Sequence, residues 1–174
     1  MRTYGKTPLG LQDALKDEVE MLLDGMLFKQ PKGKELVPMK VYRQLLPIPE
    51  GPAPENGEEE EEEEEDILAR CPWALIRINE GGMDGIKGKQ EAVVTIGFGV
   101  YDDSADNQGH RAIMSVIECI YERFAKNPIL ANGFTCSEEF RYALQEDTGL
   151  FPYFFGALTT EFSFSGFRRE NNLI

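Results

Sequence analysis

The chain has 174 residues, 41% of them hydrophobic and 10% aromatic, and a formal net charge of −13. Ten of the negative charges are Glu55, the eight glutamates 58–65 and Asp66, so the rest of the chain carries −3. That body has no basic excess to neutralise phosphates, which disfavours counterion-release binding to nucleic acid, and the length predicts a single domain over 1–174.

Cys71, Cys119 and Cys136 are odd in number and show no C-x-x-C spacing, which argues against a disulfide framework and a zinc site. The start Met1-Arg2-Thr3-Tyr4-Gly5-Lys6 has no apolar signal core, and no apolar run approaches the ~20 residues that span a bilayer. The expectation is a soluble chain made in the cytoplasm, with no membrane partner.

Thr7-Pro8 reads as an N-cap and first helical residue, followed by Leu11, Ala14, Leu15, Val19, Leu22 and Met26 at helical spacing. This predicts a helix over Pro8–Leu27, ended by Pro31 and Gly33. Met39–Leu46 is a strand candidate, and Pro47, Pro49, Pro52 and Pro54 then forbid regular pairing. The segment 47–66 reads as a loop inside the domain. Its run Glu58, Glu59, Glu60, Glu61, Glu62, Glu63, Glu64 and Glu65 has no apolar area to offset ordering entropy, so a disordered acidic loop is expected there.

Trp73–Ile78 resumes as a strand, and Gly81–Gly88 reads as the long tip of a hairpin. In the returning strand Val94, Ile96, Phe98 and Val100 share one face, and Val93, Thr95, Gly97, Gly99 and Tyr101 the other. Asp102–Asn107 offers side-chain caps to a helix over Gln108–Ala125. Its apolar stripe is Ile113, Val116, Ile117, Ile120, Tyr121 and Phe124, while Arg111, Glu118, Glu122 and Arg123 are expected to face water. After turns at Asn127-Pro128 and Asn132-Gly133, one strand alternates Phe140, Tyr142 and Leu144 against Arg141, Ala143 and Gln145. A last strand alternates Leu158, Thr160, Phe162 and Phe164 against Thr159, Glu161, Ser163 and Ser165. The class is therefore α+β: a mostly antiparallel sheet of about five strands with two main helices packed on it.

No arrangement suited to catalysis emerges. Gly82–Lys89 resembles a phosphate loop faintly, but Met83 stands at the first glycine position, Gln90 replaces the magnesium-binding hydroxyl, and the segment lies between strands. Asp102, Ser104 and Asp106 have the first spacings of a calcium loop without its turn glycine or terminal glutamate, and helix capping explains them more simply. His110, the single histidine, lacks a partner signature and is expected to be exposed, and Cys119 reads as a half-buried thiol. No catalytic residue, metal ligand or cofactor is assigned. Phe151, Tyr153, Phe154 and Phe155 have two readings, as local core or as a subunit interface.

Five segments taken in order carry a resemblance. They are Trp73-Ala74-Leu75-Ile76-Arg77-Ile78-Asn79-Glu80-Gly81, the strand through Tyr101-Asp102-Asp103, Gly109-His110-Arg111, the helix with Ile117-Glu118, and Pro152-Tyr153-Phe154-Phe155-Gly156. Together, over about Met39–Phe167, they resemble the tail-terminator or tail-completion proteins of long-tailed bacteriophages and prophages. The resemblance implies a non-enzymatic virion protein, made in the host cytoplasm, that forms a ring, six-fold by kinship. Such a ring caps the tail tube, stops its growth and meets the head–tail connector. Its partners are then other copies of itself, the tail tube protein and connector proteins. Two alternatives stay open: another connector or minor tail component, and a metal-dependent enzyme using Asp102, Asp103 and Asp106.

Overall fold

The computed structural model describes residues 2–48, 67–146 and 148–170. Thr7 is extended and accepts a hydrogen bond from Gly10 N at 3.0 Å, and Pro8 enters the first turn of helix α1 (Pro8–Leu22). The helix stops at Leu22, short of the predicted Leu27. Gly25, at φ 84°, sits in the left-handed region that glycine enters without strain, and it turns the chain before Pro31 is reached. Leu27–Phe28 then form strand β1, paired antiparallel with β2 (Val37–Pro38) in a two-stranded ribbon. Strand β3 is Lys40–Arg43, ended by Gln44 at φ 65°, well before the predicted Leu46.

Of the predicted acidic loop, only Pro47, Ile48 and no glutamate are described; Glu58 to Glu65 lie outside the described residues. The described residues resume at 67–69 in helical conformation, labelled α2. Strand β4 (Trp73–Asp84) is longer than expected and absorbs half of the glycine-rich stretch. Gly81 pairs with Ala92 there, and a Cβ on it would lie 2.3 Å from Glu91 O, so glycine serves a close strand approach rather than a long tip. The tip shrinks to residues 85–88, closed by Gly88 N donating to Asp84 O at 2.8 Å. Strand β5 (Lys89–Tyr101) returns with the predicted alternation, and Val94, Ile96, Phe98 and Val100 are all buried.

Helix α3 (His110–Lys126) buries Ile113, Val116, Ile117, Ile120 and Phe124. Two expectations for it fail. Tyr121 is 50% exposed, its ring edge-on to Phe140 at 5.2 Å, and Arg123 does not face open water. The Arg123 guanidinium donates to the Glu18 carboxylate on α1 and lies 5.0 Å over the Phe124 ring, so it ties the two helices together. Strands β6 (Ile129–Leu130), β7 (Phe134–Leu144) and β8 (Tyr153–Ser165) complete the chain, with a 3-10 turn at Thr148–Leu150. A bulge between Cys136 and Phe140 interrupts β7, breaking the period-2 signal that would have shown its first half.

The main sheet has six strands in the order β3-β4-β5-β8-β7-β6. All neighbours are antiparallel except β3 and β4, which are parallel. The α+β class stands, with a mixed sheet of six strands in place of about five. The extra strands β1, β2 and β6 have two residues each, too short to display alternation. Helix α1 packs against β3 and β4, and α3 against β5, β7 and β8, over one continuous core. No described helix is long and apolar enough to cross a membrane.

Candidate assembly surface

The aromatic segment does not form one cluster. β8 alternates across the sheet, so Phe154 turns towards the helices and packs partly buried against the core, while Tyr153 and Phe155 turn to the opposite face. Tyr153 meets Tyr101 edge-on at 5.5 Å, and Phe155 lies 6.0 Å from Trp73. Phe151 precedes the strand and is 49% exposed. The core reading therefore holds for Phe154, and Tyr153, Phe155 and Phe151 remain on or near an outer surface.

That outer face is built from small and flat residues. Trp73 lies across Gly97 and Gly99, and a Cβ on Gly99 would come 2.5 Å from the indole. The indole N–H donates to Ile67 O at 3.2 Å, placing α2 at this end of the face. Leu75, Val93, Thr95, Ala157 and Thr159 continue the face half-exposed, with Thr95 and Thr159 hydroxyls hydrogen-bonded at 3.0 Å. Among the described residues α1 and α3 pack only on the other side of the sheet.

The start of α3 differs from expectation. The predicted acidic caps are not used: its N-cap is Gly109, with no side-chain cap hydrogen bond. Asn107, at φ 55°, closes a separate turn with its N–H donating to Ser104 O at 3.1 Å, which leaves the aspartates too far upstream. Gly109 is required by a contact instead, because a Cβ on it would lie 2.3 Å from the Phe154 ring. Gly156 has the same role beneath the helix, where a Cβ would meet Ile113 at 2.7 Å. The Gly109-His110-Arg111 and Pro152-to-Gly156 segments thus meet as one packed unit, a contact that spacing alone could not show.

Asp102 and Asp103 converge on a cation rather than on a vacant site. Lys29 Nζ lies 3.1 Å from Asp102 Oδ1, 3.2 Å from Asp103 Oδ1 and 2.8 Å from Ser104 Oγ. Burial pushes the Asp102 carboxyl up, but hydrogen bonds from Ser104 and from Lys29 outweigh it and hold it below the usual carboxylate range. The Lys29 ammonium is raised by its hydrogen bonds to Asp102 and Asp103. Asp106 stands apart and accepts from Gln108 N at 3.2 Å. Among the described residues no three His, Cys, Asp or Glu side chains gather as metal ligands.

His110 is half-buried in the first turn of α3, rather than exposed. Cys119 is half-buried as expected, its thiol 3.9 Å from Leu22 O. Burial pushes the Cys71 thiol up to about 12 and the Cys136 thiol up to about 11. The segment that faintly resembles a phosphate loop is the β4–β5 hairpin, with no helix N-terminus behind it among the described residues to hold an anion. No model of a known family matches the chain, and no curated protein matches its sequence.

Proposed function

We propose that the chain is a structural protein of a bacteriophage tail, a terminator that caps the tail tube as a ring and joins it to the head–tail connector. The supporting observation is that the segments carrying the resemblance are not scattered: they pack on one another. Trp73 covers Gly99, Phe154 fills the space left by Gly109, and Gly156 lies beneath Ile113. Such contacts of glycine with large side chains hold a shape, not a reaction centre, which suits a part selected for how it fits its neighbours. The outer face, half-exposed at Phe155, Tyr153 and Tyr101 beside the buried Trp73, offers aromatic contact area of the kind enriched where proteins meet.

In this reading the partners are further copies of the chain, the tail tube protein and connector proteins. The protein is built into the virion tail after synthesis in the host cytoplasm. Labelling the protein and imaging intact virions by cryo-electron microscopy tests this. Density for a ring of the labelled chain at the head-proximal end of the tube is the expected result. Label at the distal tip or along the tube would assign it to another tail component, and its absence from virions would remove the reading.

A further inference from the structure

Besides the outer sides of its end strands β3 and β6, the six-stranded sheet has two bare stretches of edge among the described residues. On one side β6 pairs only with Phe134 and Thr135, leaving β7 without an outer neighbour from Phe140 to Leu144. On the other, β3 covers β4 from Trp73 to Ile76, and the Gln44 side chain extends that cover by one step. Ile78 N donates to Gln44 Oε1 at 3.0 Å, and Gln44 Nε2 donates to Ile78 O at 3.2 Å. Beyond this amide β4 is bare from Glu80 to Asp84.

Ladder alternation decides which backbone groups point outward. Gln145 N donates to Phe155 O at 3.0 Å, so Ala143 and Arg141 are also turned towards β8. Phe140, Tyr142 and Leu144 therefore direct N–H and C=O away from the sheet. On β4, Asp84 closes the hairpin with Gly88, so Gly82 and Glu80 face β5 as well, and Gly81 and Met83 face out. Bare edges are templates for another strand, and folded proteins commonly blunt them with lysine or proline. Neither stretch, Phe140-Arg141-Tyr142-Ala143-Leu144 or Glu80-Gly81-Gly82-Met83-Asp84, contains one.

The side chains on the two edges also match. On the helix side of the sheet, Tyr142 is 63% exposed and Met83 is 75% exposed. On the other side Arg141 and Glu80 are exposed, opposite in charge, and without ion pairs among the described residues. β7 runs opposite to β4, so placing β7 of one copy beside β4 of the next makes an antiparallel pair and keeps both helix layers on one side.

We infer that the β7 edge of one copy adds to the β4 edge of the next, so that a single continuous sheet passes through the assembly. The contact is heterologous, joining two different edges, and therefore propagates instead of stopping at a dimer. With Tyr142 opposite Met83, Tyr142 stands level with Ile96, through Leu158, and Met83 with Gln90, so the two edges are offset by six residues of β5, ~20 Å at ~3.3–3.4 Å per residue. Closure with that offset needs strands tilted against the ring axis. Only the closure rests on the ring proposed above; the edge contact stands on the backbone groups.

Mixed oxidative cross-linking of full-length Tyr142→Cys and full-length Met83→Cys protein tests the contact, with the unsubstituted chain as the blank for its own cysteines. Both positions are exposed, so each variant is expected to melt with the unsubstituted protein. The expected result is a cross-link joining the two variants in the mixture and in neither alone. Tyr142→Cys linking to itself would mean an isologous dimer and overturn the proposal, as would no cross-link at concentrations where mass measurement finds oligomers, or no oligomer at any concentration. Tyr142→Pro removes an outward N–H without touching a bond to β8 and is expected to weaken self-association about tenfold or more. Unchanged association would again overturn the proposal. Oligomers lacking the cross-link sink the edge contact and leave the ring, whereas cross-linked but open-ended chains sink the ring and leave the edge contact.

Discussion

Gly109 falls inside the helix the sequence predicts over Gln108–Ala125 but stands as the N-cap of α3, and its backbone, at φ −60° and ψ −23°, is one that any residue adopts. What forbids a side chain is the Phe154 ring 2.3 Å from the would-be Cβ. Gly109→Ala is therefore expected to destabilise the protein by about 1–3 kcal/mol through overpacking, despite alanine's better helix propensity. In a Phe154→Ala background the same change should cost far less, because the clash has gone. Denaturant unfolding of the four proteins checks this, and equal costs in both backgrounds would show that the ring is not the obstacle. Cys71 supports a pH prediction. Its thiol is raised by burial from 9.0 to about 12, so the folded state resists ionisation that the unfolded chain accepts. Below about pH 9 both states are protonated and the thiol has no effect on the pH dependence of stability. Above it the unfolded state gains, and stability falls by at most about 1.4 kcal/mol per pH unit until the folded thiol ionises. Cys71→Ala should give a shallower fall between pH 9 and 11 in chemical unfolding, and an identical slope would disprove the assignment.

At the scale of elements, α3 is where periodicity and structure agree best. Ile117 is 3% exposed and faces the sheet, while Glu118, one residue on, faces out. Ile117→Asp removes apolar burial and leaves a carboxylate without a partner, so a loss of about 4 kcal/mol or more and an unfolded or molten chain are expected. Glu118→Ala should stay within about 0.5 kcal/mol. Far-UV and near-UV circular dichroism with thermal melts separates the two, and similar losses would mean the helical face is misassigned. Tyr121 and Arg123 show why the stripe was not wholly legible. Tyr121 lies at a core-compatible phase, but the bulged second half of β7 leaves Phe140 beside it at the rim. Arg123 lies at a polar phase, but α1 brings Glu18 against it. Both outcomes depend on neighbours distant in sequence.

For the whole molecule, the acidic run and the sheet edges pose different questions. Eight adjacent glutamates have no apolar area whose burial could stabilise the fold, and their mutual repulsion opposes compaction. Deleting Glu58 to Glu65 is expected to leave the melting temperature nearly unchanged in low and high salt. A marked fall would show that the run is held by contacts with the body. If the run lines the channel of the proposed ring, it repels DNA within about a Debye length, ~8 Å at physiological salt. Tails assembled with the deletion should then retain DNA or eject it more slowly, and unchanged ejection at every salt concentration would place the run elsewhere.

The α+β class, the N-cap at Thr7, the buried faces of α3 and β5 and the alternation of β8 were all readable from the chain, because each is written in local periodicity or in the chemistry of a single turn. The early stop of α1 at Leu22, the two-residue strands, the parallel pairing of β3 with β4 and the role of Gly81 were not. Each depends on what backbone or side chain arrives from another part of the chain. The site followed the same division. Sequence singled out Phe151 to Phe155 as one aromatic group, and only the strand's alternation across the sheet sent Phe154 inward and Tyr153 and Phe155 outward. The bare edges of β4 and β7 were invisible beforehand, since an unpaired backbone group is defined by which strands stand beside it, and that is settled by tertiary packing alone.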